Sequence, residues 1–195
     1  MIDTRKIIQA LCFLLNDIPE NQADKIKLVK LLFLSDKCHL IRYGRTISDD
    51  DFWVMPRGVV GSVTKDVLEF DENNENYPDD PEYEYARKML QKVGDHSYRA
   101  NYACDIDNVD QLSETDIEAL RLIAKHFGHL SGWDLVRLTH RYPEWEQYKE
   151  LFESGEIKRE KLDTEELLSA FPDGPFSMPN EHVEESRDIL SGFSS

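Results

Sequence analysis

Apolar residues at helical spacing begin near the start of the chain and predict its first helix. Isoleucine and leucine recur every three or four positions from Ile7 to Ile18. Pro19 then ends the helix, because a proline inside a helix removes a hydrogen bond and clashes with the preceding turn. Gln9 interrupts the apolar run and Asp3 precedes it, so we expect an amphipathic helix here and no signal peptide.

The next stretch predicts a long helix in the centre of the core. Asp24 is a suitable N-cap, and apolar residues continue from there to Tyr43. Gly44 follows directly, at the position where glycine commonly ends a helix. The helix is apolar around so much of its circumference that we expect other elements to pack on most of its sides.

A change in composition follows this helix. Residues 45–60 mix β-branched and aromatic side chains with Asp, Pro and Gly, which predicts an extended segment or small turn. A helix is expected next, over about Gly61–Phe70. Residues 71–84 hold seven acidic residues, two prolines and no basic residue, which predicts an acidic loop. We then expect a short helix over Tyr85–Val93 and, from weak alternation, a strand within residues 96–107.

Two helix starts carry the same capping signature. Ser113 is an N-cap candidate with Asp116 three residues later, a variant of the capping box. Gly128 is expected to end that helix. Ser131 and Asp134 repeat the pattern at the start of the following helix.

The last third of the chain predicts further helices. Pro143 ends one helix and suits the first position of the next, which carries Trp145, Tyr148 and Phe152. Two more helical stretches are expected at about 163–171 and 180–190. We therefore predict a mainly α fold (α+β at most), a compact bundle of about seven helices with a small β element. The length suits a single domain, 1–195, with a helical C-terminal extension after about residue 155.

The net charge of the chain indicates which classes of partner it can bind. The formal net charge is −16. Residues 1–45 carry eight Lys or Arg against five Asp or Glu, so the negative charge lies in the rest of the chain. Nucleic-acid phosphates repel such a chain, which argues against direct nucleic-acid binding. Its field attracts a basic partner instead.

Cysteine usage and hydropathy indicate the compartment. Cys12, Cys38 and Cys104 are widely spaced, odd in number and form no CxxC pair, which favours a reducing cytoplasm over a disulfide framework. No run of the sequence approaches 18 apolar residues, so we predict no membrane-spanning segment.

The sequence offers few candidates for chemistry. His126 and His129 could approach each other, but no carboxylate or cysteine at metal-ligand spacing joins them, so capping or surface histidines are the favoured interpretation. Cys38 and His39 are adjacent, and neighbours on a helix point about 100° apart, so they do not form a nucleophile–base pair. Three consecutive aspartates at 49–51 favour a solvated turn over a cation site. We predict no metal and no cofactor.

Asp36 and the aromatic residues around Trp145 require separate interpretations. Asp36 lies within an apolar helix and needs a partner if it is buried, for which Lys30 or Arg57 is the candidate. An enzyme that uses Asp36 with His39 or His140 is the alternative. Trp133, His140, Tyr142 and Trp145 lie close together in the sequence. Trp145 is expected to pack across a helix corner, and the alternative is that an aromatic residue of this stretch contacts a partner.

Five short motifs together resemble the Panacea family, also called SocA-like antitoxin domains. They are KLVKLLF (Lys27–Phe33), GRTI (Gly44–Ile47), MPRGVV (Met55–Val60), LSETD (Leu112–Asp116) and LVRLTHRYPEW (Leu135–Trp145). The order and spacing agree with the family, although Gly58-Val59-Val60 replaces the usual Gly-Pro-Val. Seven residues are of interest as motif or structural positions: Lys27, Lys30, Asp36, Gly58, Ser113, His140 and Trp145.

The resemblance implies a mainly helical domain that acts by binding. Members are antitoxins of bacterial and phage toxin–antitoxin pairs that neutralise toxins by direct protein contact. An antitoxin with a basic protein toxin as its partner is therefore our first hypothesis. The alternatives are an adaptor that delivers a protein to a cellular protease, a phage or prophage regulator that binds a host protein and, less favoured, an enzyme. Candidate contact residues are Tyr43, Arg45, Met55 and Arg57.

Overall fold

The computed structural model describes residues 2–69, 80–101, 109–169 and 174–193. Its α-helices are α1 (Thr4–Asp17), α2 (Lys25–Tyr43), α3 (Ser62–Leu68), α4 (Pro81–Met89), α5 (Glu114–Phe127), α6 (Gly132–Thr139), α7 (Pro143–Glu146), α8 (Lys149–Glu153) and α9 (Asn180–Phe193). Its strands are β1 (Ala23–Asp24), β2 (Phe52–Met55), β3 (Gly58–Gly61), β4 (Leu90–Val93), β5 (Ser97–Ala100) and β6 (Glu160–Lys161). The predicted class, mainly α with a small β element, is confirmed.

Helix α2 is the centre of the fold, as its apolar pattern predicts. Every residue from Leu28 to Ile41 is buried, and α1, α5, α6 and α9 all contact it. The Asp24 carboxylate accepts a hydrogen bond from the backbone N–H of Lys27 at 2.8 Å, which confirms the N-cap. Gly44 ends the helix with φ of +71°, a conformation that glycine adopts without steric cost.

The strands form two small antiparallel sheets. One sheet has the order β1-β5-β4 and pairs Ala23 with Tyr98. The other has the order β3-β2-β6, so the extended segment predicted within residues 45–60 is a β-hairpin that continues to Gly61. In its register Met55 opposes Gly58, which leaves a two-residue turn between the strands. Strand β6 of the C-terminal extension joins the free side of β2.

The prediction of a helix over Tyr85–Val93 is wrong at both ends. Helix α4 begins at Pro81, which suits the first helical position, and the Asp80 carboxylate caps it by accepting from the N–H of Glu82. Residues Leu90–Val93 are a strand paired with β5. The expected loop at 71–84 is therefore wrong over its last four residues, and its residues 71–79 lie outside the described residues. The expected strand is present as β5, whereas residues 102–108 are not described.

Predictions that rest on local capping are confirmed. The Ser113–Asp116 and Ser131–Asp134 pairs both form complete capping boxes, at the starts of α5 and α6.

The helix expected after Pro143 divides into α7 and α8. In the C-terminal extension, the helix expected at 163–171 is a 3₁₀ helix over Thr164–Leu168, with residues 170–173 outside the described part. The final predicted helix is present as α9, which packs on α2.

Candidate protein-binding site

The tip of the β2–β3 hairpin, residues 55–59, is held by three parts of the chain through its own backbone. From α2, the ammonium of Lys30 donates a hydrogen bond to the carbonyl of Val59 at 2.7 Å. From α7, the indole N–H of Trp145 donates to the carbonyl of Met55 at 3.0 Å. Between α6 and α7, the imidazole of His140 lies beside the backbone of Pro56. The three contacts fix the tip without using its side chains.

His140 and Trp145 form one rigid unit at the helix corner. Their rings stack with centroids 3.5 Å apart and an interplanar angle of 6°. Trp145 is buried in the core cluster, as the helix-corner interpretation predicts. Burial and the nearby Lys30 lower the pKa of His140, which favours the neutral imidazole in this unit.

Lys30 is buried beneath the tip. The residue is only 2% exposed. Its Nζ lies so close to Gly58 that a Cβ added to this glycine would be 2.6 Å away. Among the described residues no carboxylate forms an ion pair with it. Burial lowers its pKa to about 7, because the charged form is poorly solvated there.

The predicted partnership of Asp36 with Lys30 or Arg57 is wrong. One Asp36 oxygen accepts hydrogen bonds from the N–H groups of Ile47 and Ser48, both at 2.8 Å, and the other accepts from the Ser48 hydroxyl. Asp36 therefore holds the chain that follows α2 rather than the hairpin. Burial raises its pKa to about 7, although the hydrogen bonds from Ser48 and Ile47 oppose this. Backbone donors from a later segment replace the expected cation.

The outer side of the hairpin borders a cavity of about 340 Å³, which we call the hairpin pocket. Its apolar lining consists of Ile26, Val29, Met55, Pro56 and Val60. Its basic lining consists of Lys25, Lys30, Arg57 and Lys65. Beside the pocket, the Arg57 guanidinium lies 5.3 Å from the ring centroid of Trp133, and Trp133 is 52% exposed. Trp133 is thus a large apolar side chain left at the surface next to the pocket.

Residues 28–146 match the family model "Antitoxin SocA-like, Panacea domain", which covers more than half of the chain. The chain belongs to this family. No curated protein and no solved structure matches it. The Panacea match begins in α2 and ends in α7, so it contains all three segments that hold the hairpin tip. Helix α1 and the C-terminal extension lie outside it.

Two of the four predicted contact residues of this Panacea chain lie at the hairpin pocket, and two lie elsewhere. Met55 and Arg57 line the pocket. Tyr43, at the far end of α2, donates a hydrogen bond to Glu118, and Arg45 lies 3.0 Å from a carboxylate oxygen of Asp116. Tyr43 and Arg45 thus join α2 and its following loop to α5, and their contact with a partner stays a prediction.

Asp116 is the centre of a buried polar cluster at that second place. Its carboxylate lies 2.9 Å from the Lys6 ammonium and 3.2 Å from Nε2 of His39. Burial opposes its ionisation, but the hydrogen bonds from Lys6 and the Ser113 N–H outweigh this and lower its pKa. Burial together with the neighbouring cations lowers the pKa of His39 to about 4. The cluster joins α1, α2 and α5.

Two polar residues of the core have roles that the sequence did not suggest. Asp50, expected in a solvated turn, is buried and caps α3 by accepting from the N–H groups of Val63 and Thr64. Lys37 forms a buried ion pair with Glu144 at 3.0 Å. At the Asp50 cap, a Cβ added to Gly61 would lie 2.3 Å from the carboxylate, so this position requires glycine.

The motif lysine Lys27 also has a structural contact, since its ammonium donates to the carbonyl of Gly128 at 2.6 Å and so joins α2 to the end of α5. Within the described residues, no group of three or more His, Cys, Asp or Glu side chains is placed to hold a metal ion. The described helices are all too short or too polar to cross a membrane. Cys12 and Cys38 are buried, with the Cys12 thiol donating to the carbonyl of Met89 at 3.3 Å, and Cys104 lies outside the described residues.

Proposed function

We propose that this chain is the antitoxin of a type II toxin–antitoxin system and neutralises a cognate protein toxin by direct contact in the cytoplasm. The contact surface is the hairpin pocket with Trp133. One observation carries the proposal: three segments of the family match hold the hairpin tip through its backbone and leave Met55 and Arg57 at the surface. A rigid tip with surface side chains suits recognition, because little conformational entropy is lost on binding.

The charge of the chain supports a protein as the target. A net charge of −16 disfavours phosphate backbones and raises the association rate with a basic protein. Trp and Arg are enriched among residues that dominate binding energy, and here Trp133 and Arg57 lie against each other beside a cavity.

Co-expression tests the proposal. The open reading frame adjacent to this gene is placed under an inducible promoter, and growth is scored with and without this chain. Growth arrest by the neighbour, relief by this chain and a co-purified complex are the expected results. A neighbour that stops growth without relief would contradict the proposal, as would a neighbour with no toxicity.

Surface variants locate the contact in the same assay. Arg57→Glu is expected to weaken relief and co-purification, whereas Lys125→Glu makes the same charge change at an exposed position of α5 and should have no effect. Far-ultraviolet circular dichroism confirms that both variants fold. Repeating the assay in protease-deletion strains separates sequestration, which persists, from adaptor-mediated degradation, which is lost.

A further inference from the structure

The hairpin pocket has room and an apolar lining for a large apolar side chain. Its volume of about 340 Å³ lies at the small end of the range for ligand sites in proteins. The walls are aliphatic side chains and a proline, with Val29 from α2 and Met55 from the hairpin facing the same cavity. Burial of a leucine or phenylalanine side chain in such a site removes apolar surface from water and so favours binding.

The charged residues that line the hairpin pocket are basic, whereas the chain as a whole is acidic. Lys25, Arg57 and Lys65 line the pocket, in a protein with a net charge of −16. Glu69 accepts hydrogen bonds from both Lys25 and Lys65, and Lys65 also lies 3.9 Å from a carboxylate oxygen of Asp66, so these two cations are already paired. Arg57 has no ion pair with any of the described residues, and its contact is the Trp133 ring. A guanidinium in this state retains its capacity to bind a carboxylate through two hydrogen bonds.

We infer that the hairpin pocket binds a partner segment in which a large apolar side chain lies next to carboxylates. The apolar side chain enters the cavity between Val29 and Met55, and a carboxylate pairs with Arg57. The inference rests on the proposed function in assigning the segment to a toxin, and it adds the chemistry of the contact. A partner that is basic overall thus approaches along the negative field and binds through a local acidic anchor at this positive rim.

Peptide titration tests the inference without any toxin. The probe is the peptide acetyl-Gly-Phe-Asp-Asp-Gly-amide, added to the full chain labelled with ¹³C at methionine methyl groups and ¹⁵N at tryptophan. We expect saturable shifts of the Met55 methyl and Trp133 indole signals, while the Met89 signal, from a buried core residue, stays unchanged. Two further peptides replace Asp-Asp by Lys-Lys, or Phe by Ala, and each loses one of the two contacts. Each should bind at least about tenfold more weakly, which corresponds to a loss of about 1.4 kcal/mol.

Matched variants identify the recognition groups. Arg57→Glu should abolish the shifts, Arg57→Lys should retain them in weakened form, and Lys125→Glu should leave them unchanged. Equal or tighter binding of the lysine peptide would overturn the inference, and so would the absence of binding by every peptide. Shifts that grow with protein concentration alone would show that a second copy of the chain occupies the pocket. Relief of toxicity is scored independently, so the proposed function can hold even where the peptide result is negative.

Discussion

The indole N–H of Trp145 is bonded to the carbonyl of Met55, a residue 90 positions earlier in the chain. The contact joins the corner between α6 and α7 to the tip of the β2–β3 hairpin. The hydrogen bond from Lys30 to the carbonyl of Val59 joins α2 to the same tip. Together the two bonds connect the separate stretches KLVKLLF, MPRGVV and LTHRYPEW. They form a single structural unit around five backbone positions.

Trp145 and Trp133 should differ in their contributions to the free energy of unfolding. Trp145→Phe removes the hydrogen bond to Met55 and part of a buried ring system, so we expect a loss of about 2–3 kcal/mol in the free energy of unfolding. Trp133→Phe alters an exposed side chain and should change that free energy by less than about 0.5 kcal/mol. Urea unfolding followed by circular dichroism measures both. Equal losses in the two variants would contradict the assignment of Trp145 to the scaffold.

Gly58 and Gly155 form a matched pair for the close approach of Lys30. Both glycines have positive φ, +103° and +75°, so alanine is strained at either position by roughly 1 kcal/mol. At Gly58 the new Cβ would also lie 2.6 Å from Nζ of Lys30, whereas nothing lies within 4 Å at Gly155. We expect Gly58→Ala to lose about 1–2 kcal/mol more than Gly155→Ala, because the Lys30 hydrogen bond must shift. Differential unfolding in urea decides between them, and similar losses would show that Lys30 adapts freely.

Lys30 should make stability rise with pH on the alkaline side of neutrality. Its pKa falls from 10.5 to about 7 on folding, so between these values the unfolded chain binds a proton that the folded chain does not. The destabilisation is therefore complete near pH 7 and disappears as pH rises toward 10.5. From pH 7.5 to 9.5 the wild type should gain roughly 2–3 kcal/mol more than Lys30→Met. Lys125→Met, at an exposed site, serves as the control, and equal gains in Lys30→Met and wild type would show that Lys30 is charged in the folded chain.

His39 should make stability fall with acidification. Its pKa is lowered from 6.5 to about 4 on folding, so the unfolded chain takes up the proton first as pH decreases. Stability from this group is full above pH 6.5 and is lost progressively down to about pH 4. Between pH 7 and 5 the wild type should lose about 2 kcal/mol more than His39→Asn, in urea unfolding at the two pH values. His129→Asn, at an exposed position, should follow the wild type. A smaller acid loss in the wild type than in His39→Asn would mean that Asp116 binds a charged His39.

The parts of the fold that depend on neighbours in sequence were predictable. Asp24, Ser113 and Ser131 cap helices through donors three residues away, and the sequence contains both partners of each contact. The strand at Leu90–Val93 was missed because helical spacing was extended across it. The Gly94-Asp95 pair that follows is a hairpin signal, and β4 pairs with β5 on the other side of it.

Contacts between distant segments were not predictable in the same way. Asp36 was expected to need a partner, but its donors are the backbone N–H groups of Ile47 and Ser48, and every residue except proline offers such a donor. The hairpin pocket likewise depends on how α2 and β2–β3 pack. Of its lining, Met55 and Arg57 are predicted contact residues, because polar and aromatic groups emerge between Tyr43 and Arg57 at the end of a core helix. Lys25 on α2 and Lys65 on α3 join them only through the packing of the fold.

The hairpin tip is gripped through carbonyl groups, and all amino acids carry a carbonyl. Substitutions at Met55, Pro56 or Arg57 therefore change the side chains at the hairpin tip while the acceptors for Trp145 and Lys30 remain. Under the proposed function, mutation of three adjacent codons is therefore enough to give the protein a new target. The buried residues that support the hairpin tip stay the same.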